Sequence, residues 1–179
     1  MILLWTTKPS NPASALIRWG LSEPMSHFAT AFYADQYKGI VLEQRMIAGF
    51  DVSWLPYFRK SNKIVYVLEP KSIPRDEQRK VMAALMNEFS GTNYDDGGFL
   101  YFAWRTFLLK FFKKPLSGRG EWGDKKDALC TGHARILYKL KPEWFSTPIS
   151  DFDIVTPGAL FDNMVRSNHF IDRTAVWQN

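Results

Sequence analysis

Apolar residues recur along this chain at two spacings, and the spacings sort its segments. Residues 2–6 form a short apolar run of strand length. Residues 26–33 and 40–44 are rich in β-branched and aromatic residues and flank the turn-prone residues 34–39, so they read as a hairpin. Residues 63–68 form a further strand. Helical spacing governs Ala15, Leu16 and Trp19, after the start signal Ser10-Asn11-Pro12, and Gly20 is expected to end that helix. It returns at Val81, Leu85, Met86 and Phe89, behind Pro74 and the acidic first turn of Asp76 and Glu77, and stops at Gly91. Residues 92–98 are loop-like. Residues 99–112 are apolar nearly all round, and with 14 residues they fall short of a bilayer span, so a buried core helix is expected, with a membrane-facing helix as the alternative. Leu129, Gly132, Ile136, Leu137 and Leu140 mark another helix, and Thr156-Pro157-Gly158 opens a last one. Residues 51–58 read as a turn or helical turn, and residues 170–177 as a closing strand. No repeat or linker divides the chain, which predicts one α+β domain over residues 1–179.

Composition narrows the class. The 179 residues are 46% hydrophobic and 16% aromatic, enough for a substantial core and incompatible with a disordered chain. The single cysteine excludes an internal disulfide. The net charge of +5 suits anionic partners, among them lipid head groups and cell-wall polymers, without choosing between them. Nothing else points to nucleic acid, and none is expected as a partner. Lys110, Lys113, Lys114, Arg119, Lys125 and Lys126 form a diffuse basic patch that reads as solvated loop. No signal peptide is visible, because no basic segment precedes the apolar residues 1–5 and Lys8-Pro9 interrupts them. A cytoplasmic or virion-associated protein without a transmembrane segment is the expectation.

Cys130 is the residue with the most chemistry to offer. It follows the polar, turn-prone residues 118–126 and stands at the first turn of the helix just described. Free N–H groups and the positive end of the helix dipole favour a thiolate there. A small buried hydrophobe is the alternative use of such a residue. A nucleophilic cysteine needs a base, and the base needs orienting. His133 shares the helix of Cys130, where the geometry for a base is poor, and His169 has no acidic residue placed to orient it. His27 opens a strand. If Tyr33 faces Gly39 in the hairpin, Glu43 lies diagonally across from His27 on the same face, about 7–8 Å away at the backbone. A slip of one residue would separate them. A satisfied core histidine is the competing use of His27.

Other chemistries find less support. Cys130 and His133 make one Cys-x-x-His pair with no second pair, so no metal site is expected. Gly97-Gly98 lacks the following Lys-Ser or Lys-Thr of a phosphate loop, and Gly-x-Ser-x-Gly is absent. Asp95-Asp96 reads as a capping loop before the next helix.

The order of these features resembles the circularly permuted papain-like proteins of the NlpC-type superfamily, phage and bacterial members included. The residues that carry the resemblance are Ser26-His27-Phe28-Ala29, Val41-Leu42-Glu43, Thr92-Asn93-Tyr94-Asp95, Cys130-Thr131-Gly132 and Val155-Thr156-Pro157-Gly158-Ala159-Leu160. They span nearly the whole chain. Gly132-His133 departs from the Cys-Ser-acid pattern of that group. The resemblance implies a permuted papain-like α+β fold, with a small antiparallel sheet or open barrel packed on helices. It implies Cys130 as nucleophile, His27 as base and Glu43 as the orienting residue, with Tyr94 as an oxyanion or substrate-binding residue. Tyr94 also has a plain use, as a packing residue ahead of a helix. The expected activity is that of a cysteine amidase or peptidase on a cell-wall or similar peptide, with no cofactor. A structural or adaptor protein such as a phage virion component is one alternative, and a lipid acyltransferase or thioesterase is the other. The peptide reading rests on burial of residues 99–112, which would leave no surface for an acyl chain.

Overall fold

The computed structural model describes residues 1–35, 38–46, 48–113, 130–149 and 155–178. Among them are seven α-helices and a six-stranded, fully antiparallel open sheet. The strands are β1 (Ile2–Thr7), β2 (His27–Asp35), β3 (Lys38–Arg45), β4 (Gly49–Trp54), β5 (Lys63–Pro70) and β6 (Phe170–Asp172). They lie in the order β4-β3-β2-β1-β5-β6. The helices are α1 (Pro12–Leu21), α2 (Leu55–Ser61), α3 (Arg75–Phe89), α4 (Asp96–Phe112), α5 (His133–Leu140), α6 (Pro157–Arg166) and α7 (Thr174–Gln178).

The lack of alternation in β1 has its cause in the sheet order. β1 lies between β2 and β5, and every one of its residues is buried. Leu3 and Trp5 face a core shared with Val81 and Leu85 of α3, Leu137 of α5 and Leu160 of α6. Ile2 and Leu4 face a second core with Leu55 and Phe58 of α2 and Trp177 of α7. A strand covered on both faces has no polar side to show.

The β2–β3 register decides where the chemistry falls. Tyr33 pairs with Gly39, Ala31 with Val41 and Ala29 with Glu43, as the hairpin reading requires. Ala29 and Ala31 are buried in the second core.

Four expectations need correction. Residues 51–58 are helical only from Leu55, where α2 begins; residues 51–54 belong to β4, and Gly49 and Asp51 weaken the strand signal of Phe50, Val52 and Trp54. Val52 and Trp54 are exposed on this outer strand, so burial did not select a plainer pattern. Residues 170–177 split into the three-residue β6 and α7, which Asp172 initiates by accepting the Thr174 N–H at 2.8 Å. Gly20 does not end α1. The helix runs on to Leu21 and closes at Ser22, which is left-handed at φ 58°. The last correction concerns α4. It packs on α1 and buries Tyr101, Phe102 and Thr106, yet Leu100, Trp104, Phe107, Phe111 and Phe112 stay well exposed. It covers the core with one side only.

The buried Gly20 shows how closely α1 and α4 approach. A Cβ there would come within 2.0 Å of Thr106 Cγ2. The Gly20→Ala variant is expected to lose about 1–3 kcal/mol of stability through this overlap, despite the better helix propensity of alanine. Adding Thr106→Ser removes the colliding methyl and should restore most of the loss. Urea unfolding of the two single variants and the double variant measures the coupling.

Candidate active site

His27 is the first residue of β2, and Glu43 is near the end of β3. The antiparallel register sets Glu43 opposite Ala29, two residues along from His27 on the same face. There His27 Nε2 and Glu43 Oε2 meet at 2.7 Å. The Glu43 side chain is 3% exposed and that of His27 12%, so water screens the pair poorly.

Cys130 enters from another part of the chain. It opens a short 3₁₀ turn, Cys130–Gly132, that runs directly into α5. This turn is tighter than the α-helical first turn expected from sequence, and it packs against β2 and β3. Cys130 is buried and hydrogen-bonds the His27 side chain. Since Nε2 is engaged by the carboxylate, Nδ1 is the ring nitrogen left for sulfur. The three residues singled out from sequence are therefore brought together, with the imidazole between carboxylate and thiol.

The electrostatics follow from this arrangement. Burial pulls the imidazole pKa down. The hydrogen bonds to Cys130 and Glu43, with the charges on both, overcome burial and carry it up to about 9. Burial likewise pushes Glu43 up, but the bond and charge of His27, helped by Lys8 and Arg45, hold it below its ordinary value. At neutral pH the pair is ionised, carboxylate against imidazolium.

Tyr94 reaches the same place by a different route. Gln44 Nε2 donates to Thr92 Oγ1 at 2.8 Å, Thr92 Oγ1 donates to Phe89 O at 2.7 Å, and Phe50 N donates to Thr92 O at 3.2 Å. The bonds to Gln44 and Phe50 tie residue 92 to β3 and β4, the bond to Phe89 ties it to the end of α3, and Tyr94 follows two residues on. Gly49 permits the approach: it is left-handed at φ 73°, and a Cβ would lie 2.4 Å from Thr92 O. Tyr94 is buried. Burial, then the charges of Cys130, Asp96 and Asp95, hold its phenol well above the usual range, so it keeps its proton.

Sequence reasoning missed the walls of the site. Beside Cys130 lies a narrow cleft lined by Ile17, Tyr94, Phe99, Phe102, Val155 and Pro157. Beside His27 a small hollow between Lys8, Ser26, Gln44, Arg45 and Tyr94 adjoins a groove of about 410 Å³, which Lys8, Glu43 and Arg45 also line. The Val155 wall is fixed from below. Thr156 caps α6 by accepting the Ala159 N–H, Glu23 accepts from Thr156 Oγ1 and Gly158 N at 2.8 Å each, and Trp5 Nε1 donates to Pro157 O at 2.8 Å. Ser26, beside His27, belongs to a buried hydroxyl chain through Ser14 to Thr7. A serine in sequence does not announce such a chain.

His133 has a different environment. It is fully buried between Phe89, at 5.0 Å between ring centroids, and Phe50, and neither ring nitrogen has a hydrogen-bond partner among the described residues. Burial, then the nearby charge of His27, pull its pKa down to about 3. It is a neutral core residue at working pH. His169 is exposed beyond the C-terminal end of α6, where its carbonyl accepts from Lys71 N. Residues 118–126 and Leu129 lie outside the described residues, as does most of the basic patch beyond Lys113. Among the described residues no group of three or more His, Cys, Asp or Glu side chains could hold a metal ion, and no helix is long and apolar enough to cross a membrane.

No protein-family model matches the chain, and no curated protein matches it.

The buried neutral imidazole of His133 predicts a specific acid weakness. Above pH 6.5 neither the folded nor the unfolded state protonates it. As pH falls from 6.5 towards 3 only the unfolded state takes the proton, so stability declines through that window. Urea unfolding at pH 7 and pH 4 should show the parent losing roughly 3 kcal/mol more than His133→Leu between the two conditions. Equal losses would mean that His133 is not held neutral.

Proposed function

We propose that the chain is a cysteine acyl hydrolase with a permuted papain-like fold, working through an acyl-enzyme on Cys130. The observation that carries this reading is the arrangement Glu43–His27–Cys130, in which one buried imidazole joins a carboxylate to a thiol beside a cleft. The order of the parts, strand with His27, strand with Glu43, helical turn with Cys130, supports the fold reading.

In the proposed reaction Cys130 sulfur, as thiolate, attacks a carbonyl carbon, and a C–S bond forms as the carbonyl π electrons move to oxygen. The Cys130 backbone N–H and the Tyr94 hydroxyl are the candidate donors to that oxyanion. Tyr94 suits the role because it remains protonated. His27 already carries a proton at neutral pH and gives it to the leaving nitrogen or oxygen as the C–N or C–O bond breaks. His27 then accepts a proton from water, which attacks the thioester. The C–S bond breaks, a carboxylic acid leaves, and the ion pair is restored. Glu43 keeps the imidazole oriented and charged.

The choice of a cell-wall peptide rested on the burial of residues 99–112. The exposure of α4 removes that ground. Ile17, Phe99, Phe102, Val155 and Pro157 favour an acyl group of apolar character beside the sulfur, carried on either an amide or an ester.

An electrophilic acyl probe should label Cys130 in the parent and leave Cys130→Ala unlabelled. Peptidoglycan fragments and phospholipids, incubated separately and read by mass spectrometry, decide between amide and ester donors. Cys130→Ala should abolish turnover, and His27→Ala should cost about 10²–10⁴-fold. No labelling and no turnover would shift weight to a structural or adaptor role. The pH profile carries a further expectation. Activity should fall as pH rises through about 9, where His27 loses the proton that the leaving group needs. In Glu43→Gln the alkaline limb should move down by about 1 unit or more, because a neutral amide no longer favours imidazolium.

A further inference from the structure

The exposed side of α4 is unusual in kind and in company. Leu100, Trp104, Phe107 and Phe111 recur at helical spacing along one stripe, which Phe112 extends. Leu16 and Trp19 of α1 stand beside it, with Trp19 and Phe111 at 6.1 Å between ring centroids. Trp104 stacks on Phe107 at 5.7 Å, and Phe107 packs on Phe111 at 4.6 Å. These seven side chains stay between 40% and 63% exposed. Contiguous exposed apolar surface of this kind marks a contact site.

The charges that accompany the stripe have one sign. Across α1, α4 and the following Lys113 the cations are Arg18, Arg105, Lys110 and Lys113, and the only acid is Asp96, at the opposite end of α4 from Lys110 and Lys113. Among the described residues the polar partners of Lys110 are neutral: its Nζ bonds Trp19 O at 3.3 Å and Ser22 Oγ at 3.1 Å, and it lies 5.5 Å from the Trp19 ring centroid. Its charge is therefore held at the edge of the aromatic surface, with no acidic partner among the described residues.

We propose that this α1–α4 face docks on an anionic phospholipid bilayer. Leucine and phenylalanine side chains would enter the acyl boundary, and Trp19 and Trp104 would sit at head-group level, where amphipathic rings are favoured. Lys110 and Lys113 would meet the lipid phosphates, and Arg18 and Arg105 would add to the positive field behind them. From Leu100 to Phe112 the stripe covers about 18 Å of helix, long enough to lie along a membrane surface. Charge decides against a second copy of the chain as the occupant, since two such faces would set four cations against four. The docking does not depend on the proposed thiol chemistry. The two are connected in space, because Phe99 and Phe102 of the same helix wall the cleft at Cys130.

Vesicle flotation with full-length Cys130→Ala tests the face without any turnover. Vesicles of phosphatidylcholine alone are compared with vesicles in which a quarter of the lipid is phosphatidylglycerol. The Cys130→Ala protein should bind the anionic vesicles roughly tenfold or more tightly, and high salt should remove most of that preference. Trp104→Ser with Phe111→Ser should lose binding to both vesicle types by tenfold or more. Lys110→Gln with Lys113→Gln should lose only the anionic preference. Unchanged melting temperatures in these surface variants keep loss of folding apart from loss of docking. Failure of Cys130→Ala to float with anionic vesicles, or flotation unaffected by the aromatic pair, would overturn the proposal. So would a dimer in solution that the aromatic pair dissociates, since that outcome assigns the face to a second copy. Probe labelling of Cys130 reports on the thiol reading separately from every one of these results.

Discussion

Glu43 sits in the interior of a β-sheet hairpin with 3% of its side chain exposed, and a carboxylate in that position must be neutralised or paired. Left alone it would cost several kcal/mol or take up a proton. His27 at 2.7 Å removes the difficulty, provided that the imidazole is charged. Lys8 and Arg45 add smaller favourable charges. The burial of one acid thus fixes the protonation of a histidine. That histidine in turn has the only cysteine in the chain as its second side-chain partner. Structure and chemistry are coupled at this point, because the same ion pair that makes the hairpin tolerable prepares the imidazole to donate a proton.

The coupling has a defined pH window. The folded state holds the His27 proton up to about 9, whereas an unfolded histidine loses it near 6.5. The contribution of His27 is complete below pH 6.5 and fades as pH rises towards 9. Glu43 has the opposite dependence: its pKa is lowered on folding, so its contribution is present at neutral pH and is lost on strong acidification. Close by, His133 is held neutral by the same burial that the His27 pair overcomes. The two imidazoles are driven in opposite directions because His27 has a carboxylate and a thiol as neighbours, whereas His133 has Phe50 and Phe89 and the nearby charge of His27.

The hairpin was legible because turn residues and two strand-like runs fixed its register, and the register alone placed Glu43 beside His27. The α+β class, α3 and the Thr156 cap of α6 were legible for similar local reasons. What was not legible depends on contacts distant in sequence. Nothing near Gly49 says that its φ and its missing Cβ serve the approach of Thr92, and nothing near Glu23 says that it receives the start of α6. Lys8 and Arg45 read as ordinary surface cations until the fold lines a groove with them. β4 was obscured because an outer strand with exposed Val52 and Trp54 need not follow the burial pattern that identifies inner strands.

The misreading of α4 has a more general cause. A helix that is apolar all round has no polar side to identify its exposed face, so periodicity offers no information about which side is covered. Burial was the economical inference from such a pattern, but it assumes that enough structure exists to surround the helix. Among the described residues α4 has α1 as its principal partner, and the near contact of Gly20 with Thr106 brings the two together along one side. The side that faces inward carries Tyr101, Phe102 and Thr106. The rest is left to the surroundings of the protein. A chain that needed only a covered core could place lysine and glutamate on that outer side at no cost to packing. Phenylalanine, tryptophan and leucine in those positions expose apolar area that water disfavours by about 25 cal/mol per Å². The sequence keeps that unfavourable surface on the same helix whose first turns wall the cleft at Cys130. On the proposed reading the constraint on α4 lies outside the fold, in the surface that the cleft at Cys130 has to reach.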